Sequence, residues 1–472
     1  MAVLGLDLGT SAVKALVLSD AGHAAAVASA PSTVDRPHPG WAEADPRTWV
    51  EAAGSAVREA LAAAGDEPIE AIGLAGQMHG VVLCDAAGLP LRPALLWPDR
   101  RAAPLLDRWR SLLPERLAAL ANPLVPGMAG PMLAWLAQED PAIVERATWA
   151  LQPKDWLRLV LTGDALGEPT DASATLLWDV PADAWATDVA ASVGVDPGLL
   201  PPLVASDAVA GNLNAGAAAL GLPAGTPVYA GAADTAAALV GVGAAKAGER
   251  VLNVGTGAQL VTVVDNPHAP ERPTTHRYRA ARGGWYAMAA VQNAGLALGW
   301  ARDVLGMSWE DAEQAAFTDA TPSADAPLFV PHLTGERTPL LDPGARGAWT
   351  GLALQHGRAD LIRAVYEGVA HAIRHARDAL DAEGTRGQGA LLLLGGGSMR
   401  PGYRQLLADV LAEPLVLLDV PHATTLGAAR LAGGVTPDPA RGSTVLPDEY
   451  AAARADARYA RWREVVDELR QA

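Results

Sequence analysis

One pattern recurs in this chain and narrows its fold more than any other. Residues 4–18, LGLDLGTSAVKALVL, and residues 250–264, RVLNVGTGAQLVTVV, lie over each other at an offset of 246. Leu6 then meets Leu252, Gly9 meets Gly255, Thr10 meets Thr256 and Asp7 meets Asn253. Each copy alternates as a strand, breaks at a glycine and resumes as a second strand. Two such units, each opening one half of the chain, are best explained by duplication. Duplication predicts two related domains with a cleft between them, and such clefts are favoured ligand sites.

The rest of the chain alternates strands with helices, so the class is α/β. PRTWVEAAGSAVREALAAAG has helical spacing, with Trp49, Ala53, Val57 and Leu61 on one face. The stretch from about Arg100 to Asp155 reads as mostly helical. A chain of 472 residues is too long for a single core. Half of it is hydrophobic and 19% is charged, so sizeable cores are expected and disorder is not. The net charge of −17 argues against a nucleic-acid partner, because a phosphate backbone needs a basic face. It leaves room for a bound nucleotide, which needs only local donors. The single cysteine, Cys84, excludes an intrachain disulfide and fits a reducing cytoplasm. Asp7 interrupts the first apolar run and no basic segment precedes it, so no signal peptide is expected. The most apolar long window, TPVYAGAADTAAALVGVGAA, contains Asp234 and many small residues, and reads as strand, turn and helix rather than a membrane span.

Several short stretches carry chemistry. The turns Gly9-Thr10-Ser11 and Gly255-Thr256-Gly257 offer small side chains, hydroxyls and free backbone N–H groups, with Lys14 near the first. Either alone reads as an ordinary hairpin turn; paired, and with an acid before one of them, they point to a nucleoside triphosphate held between domains. LLLLGGGSMR runs a buried strand into three glycines and then a helix, as a close approach to a nucleoside requires. Neither the Walker nor the GxGxxG pattern is present. Asp7 lies inside an apolar strand and needs a partner, for which a metal ion is a good candidate. Asp234 reads either as a helix cap or as a base at the domain junction. In GQMHG, two glycines hold open a loop carrying Gln77, Met78 and His79, and WPDRR adds Trp97.

Together these stretches resemble the FGGY carbohydrate kinases, and within them most closely the xylulokinases. RPHPGWAEADPRTW, GLAGQMHG, PKDWLRLVLTGD, TDASATLLWDV and PHLTGERTP occur in the family's order, so the resemblance covers nearly the whole chain. It implies two actin-like, ribonuclease H-like domains, residues 1–243 and 244–472, closing over ATP and a sugar. It implies Asp234 as the base toward the sugar hydroxyl and Asp7 as the acid near the phosphates and Mg2+. Met78 and His79, with Gln77 and Trp97, match substrate positions. Thr10, Ser11, Lys14, Gly255, Thr256 and Gly257 match phosphate contacts, Gly295 a further nucleotide contact, and Gly396, Gly397 and Ser398 the nucleoside loop. Two departures stand near the sugar site: Thr235 follows the catalytic Asp where the family usually has Asn, and Pro98 replaces Asn between Trp97 and Asp99.

The expected activity is ATP-dependent phosphorylation of D-xylulose to its 5-phosphate, in D-xylose catabolism. Phosphorylation of ribulose, another ketose or glycerol is the nearest alternative, and a non-catalytic ATP-binding sugar sensor is a third. The expected partners are ATP and a small sugar in the cytoplasm, with no nucleic acid and no membrane, and a homodimer is left open.

Overall fold

The computed structural model describes residues 2–65, 67–215, 220–318, 325–398, 400–433 and 441–471. They build two seven-stranded sheets. The first runs in the order Val209–Asn212, Pro227–Tyr229, Ile69–Gly76, Ala2–Leu8, Ala12–Leu18, Ala24–Pro31, with Ala232–Ala233 also paired to Ile69–Gly76. The second runs His276–Arg279, Trp285–Val291, Ala258–Val264, Arg250–Val254, Leu391–Leu394, Leu415–Leu418, Arg441–Val445. In both, the opening hairpin takes a third antiparallel strand on one flank. On the other flank come two parallel strands and then an antiparallel one. The duplication read from two short segments therefore extends to six strands of each sheet; Ala232–Ala233 in the first and His276–Arg279 in the second have no counterpart among the described residues.

The register corrects one detail of that overlay. In the first hairpin Leu8 pairs with Val13 and Asp7 with Lys14, while in the second Val254 pairs with Ala258 and Asn253 with Gln259. The first turn closes with Gly9 N–H donating to Ala12 O, the second with Gly255 N–H donating to Gly257 O. One extra residue sits in the first turn, so the constant offset of 246 holds through the leading strand and slips by one in the returning strand. Gln259 stands where Lys14 stands.

Helix Pro46–Ala64 covers the first sheet, with Trp49, Ala53 and Val57 buried and Leu61 partly so. Asp45 caps it by accepting from Arg47 N–H, and Pro46 occupies its first turn. The region between Arg100 and Asp155 is a series of short helices joined by irregular chain and closed by the strand Trp149–Leu151, less regular than its composition predicts. The apolar window forms strand, turn and helix Asp234–Gly241, and among the described residues no helix is long and apolar enough to cross a membrane.

The two halves meet through a pair of crossing helices. Helix Asp234–Gly241 shares an apolar cluster with Val251, Val261, Leu392 and Val416 of the second sheet. Helix Ala423–Gly433 lies on the first sheet, where Leu426 and Ala429 pack with Leu16 and Leu18. The two helices also cross each other, backbone against backbone. A Cβ on Gly427 would stand 1.8 Å from Ala237 O, and one on Gly241 1.9 Å from Ala423 O. Gly73 in the first sheet is equally tight, its virtual Cβ 1.8 Å from Ala428 O. Arg430 seals the crossing by donating to Gly241 O at 2.6 Å.

Gly427→Ala is therefore expected to cost stability at the upper end of the about 1–3 kcal/mol typical of overpacking, since a carbonyl and not a flexible side chain meets the new methyl. A urea midpoint equal to the wild type's would show that the crossing relaxes freely.

Candidate active site

Asp7 is near the end of the first strand, 7% exposed, with Lys14 opposite and Ala75 beside it. Burial, and then the charge of Asp234, push its carboxyl up to about 7, against the pull of Lys14. Its Oδ1 is buried without a hydrogen-bond partner among the described residues. The turn after this strand is tied to the GQMHG loop. Thr10 Oγ1 donates to Gln77 Oε1 at 3.0 Å and accepts from Trp97 Nε1 at 3.0 Å, while Gln77 N–H donates to Leu8 O. Residues expected to meet phosphate and residues expected to meet sugar thus form one chain of hydrogen bonds. Ser11 is exposed at the tip of the turn and Lys14 is half-buried.

His79 takes a left-handed backbone, φ 71°, against the tightly packed Gly80. Its Nδ1 lies 2.7 Å from Ala174 O, so Nδ1 carries the proton and Nε2 is left as an acceptor. Burial drives its pKa down to about 4, which makes the ring neutral at pH 7. Met78 is 6% exposed and belongs to the apolar core.

Asp234 opens the helix Asp234–Gly241 and does not cap it: Ala233 stands at the cap position, without a side-chain bond. Asp234 Oδ1 accepts from Thr235 N–H at 2.5 Å and from Thr235 Oγ1 at 3.1 Å. Burial raises its pKa, and Thr235 and the charge of Arg337 work against that rise. The turn before it is held from behind by a buried charge cluster. Ala233 N–H donates to Thr170 Oγ1, which donates in turn to Glu168. Lys154 pairs with Asp155, Glu168 and Asp171, and Arg158 bridges Asp155 to Ala230 O at 2.7 Å. The segments PKDWLRLVLTGD and TDASATLLWDV, legible in sequence only by resemblance, supply this brace.

The second half brings in side chains to which the sequence assigns no role. Tyr278 OH is 2.8 Å from His276 Nδ1, and the Tyr278 ring lies 6.0 Å from His79. The Arg337 guanidinium stands over the Trp97 ring at 5.6 Å, and Arg100 reaches Thr334 O. The positive charge of Arg337 acts on Asp234, His79, His276 and Tyr278.

Gly295 N–H donates to Gly255 O and Leu296 N–H to Thr256 O, so the helix Gly295–Val304 starts against the second turn. A Cβ on Gly295 would come within 2.5 Å of Gly255 O, and one on Gly257 within 2.6 Å of Val291 O. The glycine loop runs beside the same strand. Gly395, at φ 99°, would press a Cβ to 2.3 Å from Val254 O, and Gly397 also packs on Val254. Gly396 is exposed with open space where a side chain would go. The side chain of Ser398 lies outside the described residues. Gly395 has no distinguishing mark in the sequence, although it is the glycine whose backbone most needs to be one.

Residues 2–241 match the N-terminal domain of the FGGY family of carbohydrate kinases, and residues 251–434 match its C-terminal domain. The chain belongs to that family. It is 36% identical to the xylulose kinase of Escherichia coli K12 over 437 residues, 91% of this chain and 89% of that protein. It is 30% identical to the xylulose kinase of Bacillus subtilis 168 over 91% of this chain and 87% of that one. Among solved structures, a kinase from Brucella ovis described as a xyloylose kinase superposes with a TM-score of 0.93 at 33% identity, covering all of both chains. The xylulose kinase of Rhodospirillum rubrum gives a TM-score of 0.91 at 29% identity, covering 100% of this chain and 99% of that one. The fold is the family's two-domain, actin-like kinase fold.

The raised pKa of Asp7 has a consequence for stability. A carboxyl that binds its proton more tightly in the folded state than the unfolded one destabilises the fold as pH rises from its ordinary value of 3.8 to about 7. Asp7→Asn is expected to raise the melting temperature of the ligand-free enzyme at pH 8, with the gain gone by pH 4, and to suppress turnover. An unchanged melting temperature at pH 8 would show that the carboxylate is not strained there.

Proposed function

We propose that this carbohydrate kinase transfers the γ-phosphoryl group of ATP to a hydroxyl of D-xylulose, giving the 5-phosphate, with Asp234 as the base. The observation that carries this reading is the state of Asp234. It opens a helix at the junction of the two halves, its pKa is raised, and both its hydrogen bonds go to Oδ1. Oδ2 is then the oxygen that accepts the sugar's proton as the new bond to phosphorus develops. Thr235 serves here by fixing Oδ1, through a hydroxyl in place of the amide usual in the family.

His79 Nε2 accepts from a second sugar hydroxyl, and its neutral ring adds no charge near the base. The two turns and the glycine loop give backbone N–H groups and room for phosphates and nucleoside. Phosphoryl transfer depends mainly on alignment and charge stabilisation, which is the work these groups do. The site also fits a divalent metal, taken as Mg2+. Asp7 Oδ1 is a buried, unpartnered carboxylate oxygen beside the first turn, and among the described residues no cluster of three or more His, Cys, Asp or Glu could hold an ion alone. One carboxylate supplemented by phosphate and water is a usual Mg2+ environment. When bound, the ion neutralises phosphate charge. The similarity to named xylulose kinases supports the choice of sugar.

A coupled ADP-release assay across pentuloses, polyols and hexoses tests the substrate. D-xylulose is expected to give the highest kcat/KM, and glycerol or a hexose outperforming every pentulose would overturn that choice. Asp234→Asn is expected to lower kcat by about 10²–10⁴ with ATP affinity retained. Turnover above half the wild-type value would remove Asp234 from the role of base.

A further inference from the structure

Arg337 stands in the loop between Thr334 and Pro339 of the C-terminal half, and that loop is held rigidly. Glu336 accepts from Gln292 N–H at 2.6 Å and from Arg337 N–H at 2.8 Å. Asn293 donates to Gly335 O, Thr338 N–H donates to Ala290 O, and Thr338 Oγ1 accepts from Ala290 N–H. The loop is thereby clamped to the strand Trp285–Val291 and to the residues just before Gly295. From this platform the side chain crosses to the other half of the molecule, where its guanidinium lies 5.6 Å from the Trp97 ring centre.

The guanidinium itself has no ion pair and no hydrogen-bond acceptor among the described residues. This partly exposed cation thus has five N–H donors free of protein acceptors and open to the cleft's solvent, where a ligand can take them. The charge on Asp234 acts on it, and its own charge acts on His79, His276 and Tyr278. Those groups lie around the expected sugar position. The charges acting on Asp7, beside the phosphate turn, are instead Asp234 and Lys14. Arg337 therefore stands on the sugar's side of the base.

We propose that Arg337 contacts the acceptor sugar directly, donating hydrogen bonds to its oxygens from the C-terminal half of the cleft. This rests on the reading of the site as a sugar kinase's, and extends it. The sugar contacts expected from the resemblance, Gln77, Met78, His79, Trp97 and Asp234, all come from the N-terminal half. With Arg337 the sugar bridges both halves, and binding it stabilises the arrangement in which guanidinium, indole and base are together. Planar, bidentate donation to neighbouring hydroxyls is what a guanidinium provides and an ammonium does not.

The experiment compares Arg337→Met and Arg337→Lys with the wild-type enzyme. Binding of D-xylulose without ATP is measured by calorimetry, and KM for sugar and for ATP by steady-state kinetics. Arg337→Met is expected to weaken sugar binding roughly ten- to a hundredfold, the value of a charge-assisted hydrogen bond, while KM for ATP changes less than threefold. Arg337→Lys should recover part of the loss, and unchanged ATP affinity shows that both variants fold. If wild type binds the sugar and Arg337→Met binds it equally well, this inference alone fails. If Arg337→Met weakens ATP and sugar to the same degree, the residue is a structural support for the loop and the inference also fails. If the wild type binds no sugar of the pentulose, polyol and hexose panel, the substrate reading fails and takes this inference with it.

Discussion

The architecture depends on one contact, the crossing of helix Asp234–Gly241 with helix Ala423–Gly433. At that crossing the chain brings backbone to backbone, with Ala237 and Gly241 of one helix meeting Ala423 and Gly427 of the other. No long side chain lies between them to absorb a change. The distance between the halves is therefore set by hard contact of main-chain atoms, which is stiff and specific. Because Asp234, the proposed base, is the first residue of one of these helices, its position relative to the second half is set by the same contact. Helix Ala423–Gly433 of the second half packs on the first sheet, and helix Asp234–Gly241 joins an apolar cluster with strands of the second, so the two halves share their packing.

On this frame the site arranges charge so that its own groups do not satisfy one another. Two carboxylates, Asp7 and Asp234, lie close enough that the second raises the pKa of the first. Lys14 offsets one and Arg337 the other, and neither pair closes into a salt bridge. A protein selected only for stability would bury apolar groups or complete these pairs. Behind the turn the rule is reversed: Lys154, Asp155, Arg158, Glu168 and Asp171 are packed together and extensively bonded. Charge paired behind the turn braces it, although Asp171 keeps both carboxylate oxygens without a hydrogen bond among the described residues, and the unpaired charge in front of it is left to ligands.

Much of this is legible in the sequence, for local reasons. An acid in an alternating apolar strand is conspicuous, and so is a strand running into three glycines; the structure shows a buried, unpartnered carboxylate oxygen at the first and close backbone packing on Val254 at the second. The duplicated hairpin points to the sheet order because strand, glycine and strand leave a compact local trace. Arg337 lies inside PHLTGERTP, a segment legible only by resemblance; the sequence assigns the arginine no role of its own, since its contact with Trp97 joins residues distant in the chain. The helix crossing is hidden for a similar reason: ATTLGAARLAG reads as an ordinary small-residue helix until the partner is known. The extra residue in the first turn is hidden because a gapless overlay cannot display it.

At Thr10 the number of protons is decisive. A threonine hydroxyl has a single hydrogen to give, and here it goes to Gln77 Oε1 while the oxygen receives the Trp97 N–H. So long as that chain is intact, the Thr10 hydroxyl has nothing left to donate to an anion, and in the proposed phosphate role the turn would rely on its main-chain N–H groups and the exposed Ser11 hydroxyl. Should the hydroxyl rotate toward phosphate, Gln77 Oε1 is released at the same moment to seek another donor, and a sugar hydroxyl is one. If the turn and the GQMHG loop hold the ligands proposed for them, occupancy of one is written into the hydrogen-bond inventory of the other.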